Sequence, residues 1–145
     1  MKKIRNLICI FALVLLVGCS KGYKEGEYTG IAIDSYGGQE NTASAQISID
    51  SEGQIIGVYL DTTYTKDGVQ TTKKTLKDDY NMMSNPNAAG EWYEQVEKLE
   101  QAVIDNQGID FLNLDEDGYT DAVSGCTIKI DALYEALEDA LNNAK

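Results

Sequence analysis

The seven residues "DAVSGCT", from Asp121 to Thr127, include side chains suited to holding an anion. Ser124 and Thr127 have hydroxyls that can donate hydrogen bonds, and Gly125 between them allows the backbone to approach a ligand closely. The pattern that follows predicts a helix beginning near Ile128, and the first turn of a helix has backbone N–H groups without intrahelical partners. These donors and the helix dipole predict a phosphate cradle that needs no Lys or Arg.

The same segment allows two simpler interpretations. Ser124 or Thr127 could be an ordinary N-cap of the helix. The residues with the spacing of the first nine positions of a calcium loop are Asn113, Asp115, Asp117, Gly118 and Asp121. The twelfth position, normally a bidentate glutamate, is Ser124, so an acidic turn is favoured over a calcium site.

The overall charge restricts the partners. The 145 residues include 12 Lys and Arg against 24 Asp and Glu, a net charge of −12, and no His. Nucleic-acid binding is excluded, because a phosphate backbone requires a basic surface. The lack of His excludes His-based triads and His-ligated haem, and no general acid, base or nucleophile is evident. The sequence predicts one acidic domain that is not an enzyme.

The N-terminus has the pattern of an export signal. A cationic start, an apolar run over residues 7–17 and the sequence "LVGC" ending at Cys19 resemble the lipobox of bacterial lipoproteins. The resemblance implies that residues 1–18 are a signal peptide, that Cys19 carries the lipid and that residues 19–26 are a polar tether. We therefore expect attachment to the extracytoplasmic face of the cell membrane through acyl chains such as palmitate. An uncleaved anchor helix is the alternative, but the apolar run is short for one.

Alternation and helical spacing predict an α+β domain over residues 27–145. The predicted strands are residues 27–34, 42–50, 54–62 and 109–114. One helix is predicted over residues 90–108, with Gly108 as a left-handed cap, and a C-terminal helix follows the S-G-x-T turn. The predicted architecture is an antiparallel sheet meander covered by helices on one face.

The helix predicted over residues 90–108 has an apolar stripe. Its residues recur every three to four positions and are Trp92, Val96, Leu99 and Val103. Trp92 could line a cofactor site, but packing in the core is the favoured interpretation.

The motif "DAVSGCT" resembles the D-x-x-[S/T]-G-A-T motif of FMN-binding domains, which occur in peripheral subunits of sodium-pumping redox complexes and in small bacterial lipoproteins. The order of elements is also similar: a Y-x-G strand opening, a hairpin, a long amphipathic helix and a closing helix. Between them, a stretch similar to the family's contains Lys77, Tyr80, Asn81 and Met83. The likeness covers most of the chain after the tether.

The resemblance implies a cofactor and its site. Thr127 corresponds to the threonine that a separate flavin transferase joins to FMN through a phosphoester. Ser124 and Gly125 would shape the turn around the phosphate, and Asp121 matches the aspartate on which the transferase depends. Cys126 stands where the motif has alanine, and we interpret it as a packing variant; a redox or flavin-linking thiol is the alternative.

Three residues after the motif also depart from the family. Ile128, Lys129 and Ile130 replace small hydroxyl residues, which affects recognition by the transferase more than phosphate binding. Lys129 could contact the phosphate or be solvated.

The resemblance implies an extracytoplasmic flavoprotein that carries electrons between a membrane redox donor and an external acceptor. Tyr119 and Tyr134 are candidates either to contact the flavin or to pack in the core. The alternative function is a non-catalytic surface lipoprotein, an antigen or binding module, with the same fold and no flavin.

Overall fold

Four antiparallel strands and two long helices form the fold, in a computed structural model that describes residues 22–35 and 38–145. The strands, in their order across the sheet, are β1 (Gly26–Asp34), β2 (Asn41–Ile49), β3 (Ile55–Lys66) and β4 (Val69–Thr72). The helices are α1 (Lys73–Leu76), α2 (Trp92–Asn106) and α3 (Asp131–Asn143), with short 3₁₀ turns at Lys77–Tyr80 and Met82–Ser84. The prediction of an α+β fold with a C-terminal helix is confirmed.

The start of the folded domain is fixed to its end. Lys24 N donates to the Ala144 carbonyl at 2.8 Å, and Lys24 Nζ donates to the Lys145 carbonyl at 2.6 Å. The predicted signal peptide and the predicted lipidation site at Cys19 lie outside the described residues. Within residues 22–35 and 38–145, no helix has the length and apolar character needed to cross a membrane.

Alternate side chains of β2 form the centre of the core. Their exposed fractions are 3% or less, and the residues are Ala43, Ala45, Ile47 and Ile49. The intervening residues of β2 carry hydroxyl and amide groups and are partly or fully exposed. The two-residue period predicted for residues 42–50 is therefore confirmed.

Helix α3 packs directly onto the backbone of β1. A Cβ atom on Gly30 would lie 2.2 Å from the carbonyl oxygen of Ala136 and 2.4 Å from the nitrogen of Ala140. Both alanines are fully buried. One glycine and two alanines thus allow the helix and strand backbones to come into contact.

Side chains of α3 also cover the outer edge of β1. Ile31 N donates to Asp139 Oδ2 at 3.1 Å, and Asn143 Nδ2 donates to the Thr29 carbonyl at 3.1 Å. These bonds occupy backbone groups that an open strand edge would offer to another strand.

Helix α2 covers the part of β3 that extends beyond β4. The Gln107 side chain accepts from Ile55 N at 2.7 Å and donates to the Ile55 carbonyl at 2.9 Å, and Glu100 accepts from Leu60 N at 2.6 Å. Gln107 has φ = 53° and is the left-handed residue that ends α2, one position before the predicted cap at Gly108. Its amide bonds to β3 offset the strain of that conformation.

The strand predicted at residues 109–114 is wrong. Leu112 N donates to the Ile109 carbonyl at 3.0 Å, and Asn113 has φ = 40°, so the segment is a turn followed by a loop. Ile109 and Leu112 are 6% and 0% exposed. The apolar pattern therefore reflects core contacts made by a turn.

Strand β4 is absent from the sequence-based prediction. Asp67 and Gly68 have φ values of 52° and 78°, and they join β3 to β4 as a two-residue hairpin. The Asp-Gly dipeptide is the sequence signal for this turn, but β4 is four residues long and mostly polar, which hides the alternation.

Candidate functional site

A cavity of about 310 Å³ lies where α3 begins, beside β3, the end of β1 and the 3₁₀ turns. Its volume is at the lower end of the range for small-molecule sites. The lining side chains that matter for its chemistry are Asp34, Tyr64, Lys73, Tyr80, Trp92, Tyr119, Thr127 and Lys129. The cavity thus combines aromatic rings and the Thr127 hydroxyl with two cations and two carboxylates, the second of which is Asp131.

Three aromatic rings pack against one another in the wall of the cavity. The ring centroids of Tyr64 and Tyr80 are 5.1 Å apart, and those of Tyr80 and Trp92 are 6.4 Å apart, both edge to face. Trp92 is 4% exposed, so it packs in the core, as predicted, and also lines the cavity.

A buried cation lies beside these rings. Lys73 Nζ is 5.3 Å from the ring centroid of Trp92 and 5.6 Å from that of Tyr80, and it forms an ion pair with Asp34 at 3.1 Å. The ring faces and the carboxylate offset the desolvation of the ammonium group. Sequence analysis identified Lys77 in this region, which is exposed and does not line the cavity.

The segment after the first 3₁₀ turn forms part of the cavity wall. Glu91 accepts from Met82 N at 2.9 Å and from Met83 N at 3.3 Å, and Asn81 has the left-handed φ of 60°. Met82 lines the cavity, whereas Met83, the residue in the family-like stretch, is 54% exposed. The methionine at the site is therefore Met82, one position before the methionine of the family-like stretch, whereas Tyr80 and Asn81 of that stretch both line the cavity.

Thr127 lies at the cavity and is held by Gln95 of α2. The backbone N–H of Thr127 donates to Gln95 Oε1 at 2.7 Å, and its hydroxyl donates to the same oxygen at 3.1 Å. Ala89 N donates to Thr127 Oγ1 at 3.2 Å, and Gln95 Nε2 donates to the Gly90 carbonyl at 2.7 Å. Both polar atoms of the Gln95 amide are therefore occupied.

Gln95 was not predicted to be a site residue. It is fully buried, next to Val96 in the apolar stripe of α2. A buried amide requires hydrogen-bond partners, so a glutamine inside the stripe is the signal that could have indicated a polar contact.

The other predicted residues of the site lie in the turn that precedes Thr127. Asp121 and Ser124 are exposed, and Gly125 has the left-handed φ of 76°. A Cβ atom on Gly125 would lie 2.7 Å from Lys98 Nζ, so the glycine leaves room for this cation. Of the five residues predicted to bind the cofactor, Thr127 is the one that lines the cavity.

Cys126 has the environment of a core residue. It is 5% exposed, and its N–H donates to the Val123 carbonyl at 3.1 Å within the turn. Burial raises the pKa of the Cys126 thiol, against smaller opposing effects from the Ile128 N–H and the Lys98 charge. The thiolate is therefore disfavoured, as the packing interpretation expects.

Helix α3 begins at Asp131, later than the predicted start near Ile128. Ile128 and Ile130 are buried, and Ile130 N donates to the Gly118 carbonyl at 2.8 Å, which holds the chain outside the helix. Asp131 Oδ1 accepts from Ala132 N at 2.9 Å in the first turn. The N–H groups of the first turn consequently belong to residues after the S-G-x-T turn.

Lys129 lines the cavity as part of an ion pair. Its Nζ is 2.7 Å from Asp131 Oδ2, and both side chains are more than one-third exposed. The hydrogen bond and charge of Asp131 raise the pKa of Lys129. Lys129 is thus a cation just before the start of α3, and solvent partly screens its charge.

The acidic turn before the motif is held by hydrogen bonds from its backbone N–H groups to the Asp115 side chain. Asp115 Oδ1 accepts from Asp117 N at 3.0 Å and from Tyr119 N at 2.9 Å. Across the parts of the chain that the structure describes, no group of three or more Cys, Asp or Glu side chains is arranged to hold a metal ion. Tyr119 lines the cavity, whereas Tyr134 packs partly buried against the core.

Comparisons with known proteins give a relative without an assigned activity. No protein-family model matches the chain, and no curated protein matches it significantly. The chain is similar to a protein from Clostridium thermocellum, determined by solution NMR by the Northeast Structural Genomics Consortium, with 30% identity and a TM-score of 0.56. The similarity covers 84% of this chain and 92% of that one. At this identity and coverage, the chain belongs to the same protein family as the clostridial protein.

Proposed function

We propose that the protein is a lipid-tethered FMN-binding electron carrier, with FMN held through a phosphoester to Thr127. The observation that carries the proposal is the position of the Thr127 hydroxyl at a cavity walled by Tyr80, Trp92 and the Lys73 ammonium. A hydroxyl is the group that a phosphoester requires, and aromatic rings beside a cation suit a planar ligand with hydrogen-bond acceptors.

Nearby cations support the binding of a phosphate to a chain with a net charge of −12. Lys98 lies against Gly125, and Lys129 lines the cavity beside Thr127. Asp131 offsets part of the Lys129 charge. A phosphate in direct contact with one of these ammonium groups would be attracted at short range, where screening weakens the repulsion from more distant acidic residues.

The residues of the chain have the roles of a carrier. FMN, when bound, supplies reversible electron exchange, and the protein supplies attachment, orientation and electrostatics. Thr127 provides attachment, Trp92 and Tyr80 provide apolar surface that excludes water, and Lys73 provides positive potential at the cavity wall. The proposed role is therefore that of an electron carrier.

The attachment is tested on the full chain, co-expressed with a bacterial flavin transferase. Intact mass and visible absorbance are measured for the wild type, Thr127→Ala and Ser124→Ala. Ser124 is the matched control, because it is an exposed hydroxyl three residues away in the same turn. We expect the wild type and Ser124→Ala to gain the mass of one FMN less one water, with absorbance that survives denaturation, and Thr127→Ala to gain nothing.

The other outcomes separate the alternatives. Yellow protein that loses its colour on unfolding would support FMN binding and contradict the phosphoester. Colourless wild-type protein at the mass of the bare chain overturns the flavin proposal and favours a non-catalytic surface lipoprotein.

The tether is a separate part of the proposal. Cys19 in the lipobox-like sequence is expected to carry the acyl chains that hold the domain at the membrane. Replacement Cys19→Ala should move the protein from the membrane fraction to the soluble fraction and abolish palmitate labelling. Continued labelling in this variant contradicts lipidation at Cys19.

A further inference from the structure

We propose that Gln95 is the positioning residue for modification of Thr127: its amide fixes the conformation in which the threonine hydroxyl is presented at the cavity. The inference rests on the proposed function, since it assigns a role in the same attachment. It names a residue on α2, outside the sequence motif.

The hydrogen bonds of Gln95 are directed mainly at Thr127. Its Oε1 accepts from both the N–H and the hydroxyl of Thr127, at 2.7 and 3.1 Å, and its Nε2 is fixed by the Gly90 carbonyl at 2.7 Å. Two donors from one residue to a single acceptor determine both the backbone position and the χ1 rotamer of that residue. Thr127 is therefore held before any cofactor arrives.

The burial of Gln95 indicates that its contact with Thr127 has a specific role. Gln95 is 0% exposed and adjoins the apolar stripe of α2, where an apolar side chain would pack without needing hydrogen-bond partners. The amide gives packing no advantage over a leucine or methionine of similar size. What it adds is the placement of Thr127, together with one bond to the Gly90 carbonyl that fixes the amide itself.

The arrangement suits a hydroxyl that becomes an ester. In the transfer, Thr127 Oγ1 forms a bond to the phosphorus of a flavin dinucleotide, the phosphoanhydride bond breaks, and a nucleoside monophosphate leaves. The hydroxyl proton passes to a base on the transferase, because an amide oxygen is too weak a base to take it. Gln95 Oε1 retains the Thr127 N–H as its donor afterwards, so the buried amide has a partner both before and after modification.

The test measures FMN incorporation into the full chain by a purified flavin transferase supplied with flavin adenine dinucleotide. Gln95→Met removes both bonds to Thr127 at nearly constant volume. Gln107→Met is the matched control, because Gln107 also lies at α2 and bonds the backbone of Ile55 through both amide atoms, without touching Thr127. Urea unfolding of each variant gives the accompanying change in stability.

We expect Gln95→Met to lower the maximal rate of incorporation about tenfold or more, with a smaller change in the concentration for half-maximal rate. Gln107→Met should be modified at the wild-type rate even if it is equally destabilised. Gln95→Glu retains an acceptor for both Thr127 donors but loses the donor to the Gly90 carbonyl, so it should be modified faster than Gln95→Met. Gln95→Leu, which is apolar and of similar size, is the second variant if the methionine variant does not fold.

Two results overturn the inference while leaving the proposed function intact. One is incorporation into Gln95→Met at the wild-type rate. The other is equal slowing in Gln95→Met and Gln107→Met, which assigns the effect to loss of stability. Absence of incorporation into the wild type overturns the proposed function itself, and the role of Gln95 with it.

Discussion

Lys73 and Asp34 form an ion pair at 3.1 Å in the wall of the cavity, with side chains only 7% and 13% exposed. The pair connects the end of β1 to α1 across the sheet. Replacement of Lys73 by Met should lower the free energy of unfolding by about 3 kcal/mol, because it leaves a largely buried carboxylate without this cation. Urea unfolding measures the loss. The double variant Asp34→Asn/Lys73→Met should recover part of it, and no recovery would contradict the assignment to the pair.

The charge of Lys73 should also affect the redox potential of the flavin, if FMN binds as proposed. A cation near the ring favours the more electron-rich reduced form, so Lys73→Met should lower the midpoint potential measured by spectroelectrochemistry. Lys74→Met is the matched control. Lys74 also pairs with a largely buried carboxylate, Glu100, and lies 3.9 Å from the ring centroid of Tyr59, but it does not line the cavity. Equal shifts in both variants would argue against a specific role for Lys73.

Gly30 should tolerate no side chain. Gly30→Ala places a methyl group within 2.2 Å of a backbone carbonyl of α3, so the helix must move, at an expected loss of about 3 kcal/mol. Gly57→Ala is the control within the same sheet, because its methyl group would meet only the Ser48 side chain at 3.1 Å. We expect that substitution to change stability by less than about 1 kcal/mol in urea unfolding. Similar losses in the two variants would contradict the close contact between β1 and α3.

Glu100 should make stability decline with pH. Burial raises the pKa of Glu100, and the Lys74 and Leu60 contacts oppose the shift only partly. The folded protein therefore holds this proton more tightly than the unfolded chain, and the contribution of Glu100 to the free energy of unfolding falls as the pH rises above about 4.5. The stability difference between wild type and Glu100→Gln should thus shift against the wild type from pH 4 to pH 7.

Urea midpoints across this pH range check the prediction, with Glu138→Gln, an exposed glutamate of α3, correcting for the general effect of removing a negative charge. A difference that moves in the opposite direction would show that the Lys74 contact dominates the desolvation of Glu100.

Cys126 should be unreactive in the folded protein. It is 5% exposed, and burial raises the pKa of its thiol, so little thiolate is available. In a chain with Cys9 and Cys19 replaced by Ser, labelling by a thiol reagent should be at least about 100-fold slower in buffer than in urea. Cys126→Ala should retain FMN incorporation. Loss of incorporation in that variant would favour the alternative of a flavin-linking thiol.

The strands of the sheet could be predicted where alternate burial of side chains produces a two-residue hydrophobic period. In β2, alternate residues face the core, and the two-residue period follows directly. At Ile109 and Leu112 the apolar residues are also buried, but a turn brings them there, and no local pattern distinguishes that turn from a short strand.

Several residues identified from the sequence line the cavity, among them Tyr80, Trp92, Tyr119, Thr127 and Lys129. Thr127 belongs to a contiguous motif, which is visible without knowledge of the tertiary structure. Lys73 of α1 lines the cavity, and Gln95 of α2 holds Thr127 there, and both roles depend on contacts with residues that are distant in the chain. Helix α3 begins three residues later than predicted, at Asp131. Ile128 and Ile130 are buried in a non-helical segment before it, and we attribute the later start to that burial.

The side chains that bond to the outer edges of β1 and β3 have a consequence for contacts between copies of the protein. If the chain is tethered to a membrane as proposed, its copies diffuse in two dimensions and collide with one another at high local concentration. Asp139 and Asn143 occupy backbone groups at the edge of β1, and Gln107 occupies those at the start of β3, so a neighbouring copy finds fewer backbone groups with which to pair along these two strands. These contacts thereby reduce strand pairing between copies that collide at the membrane.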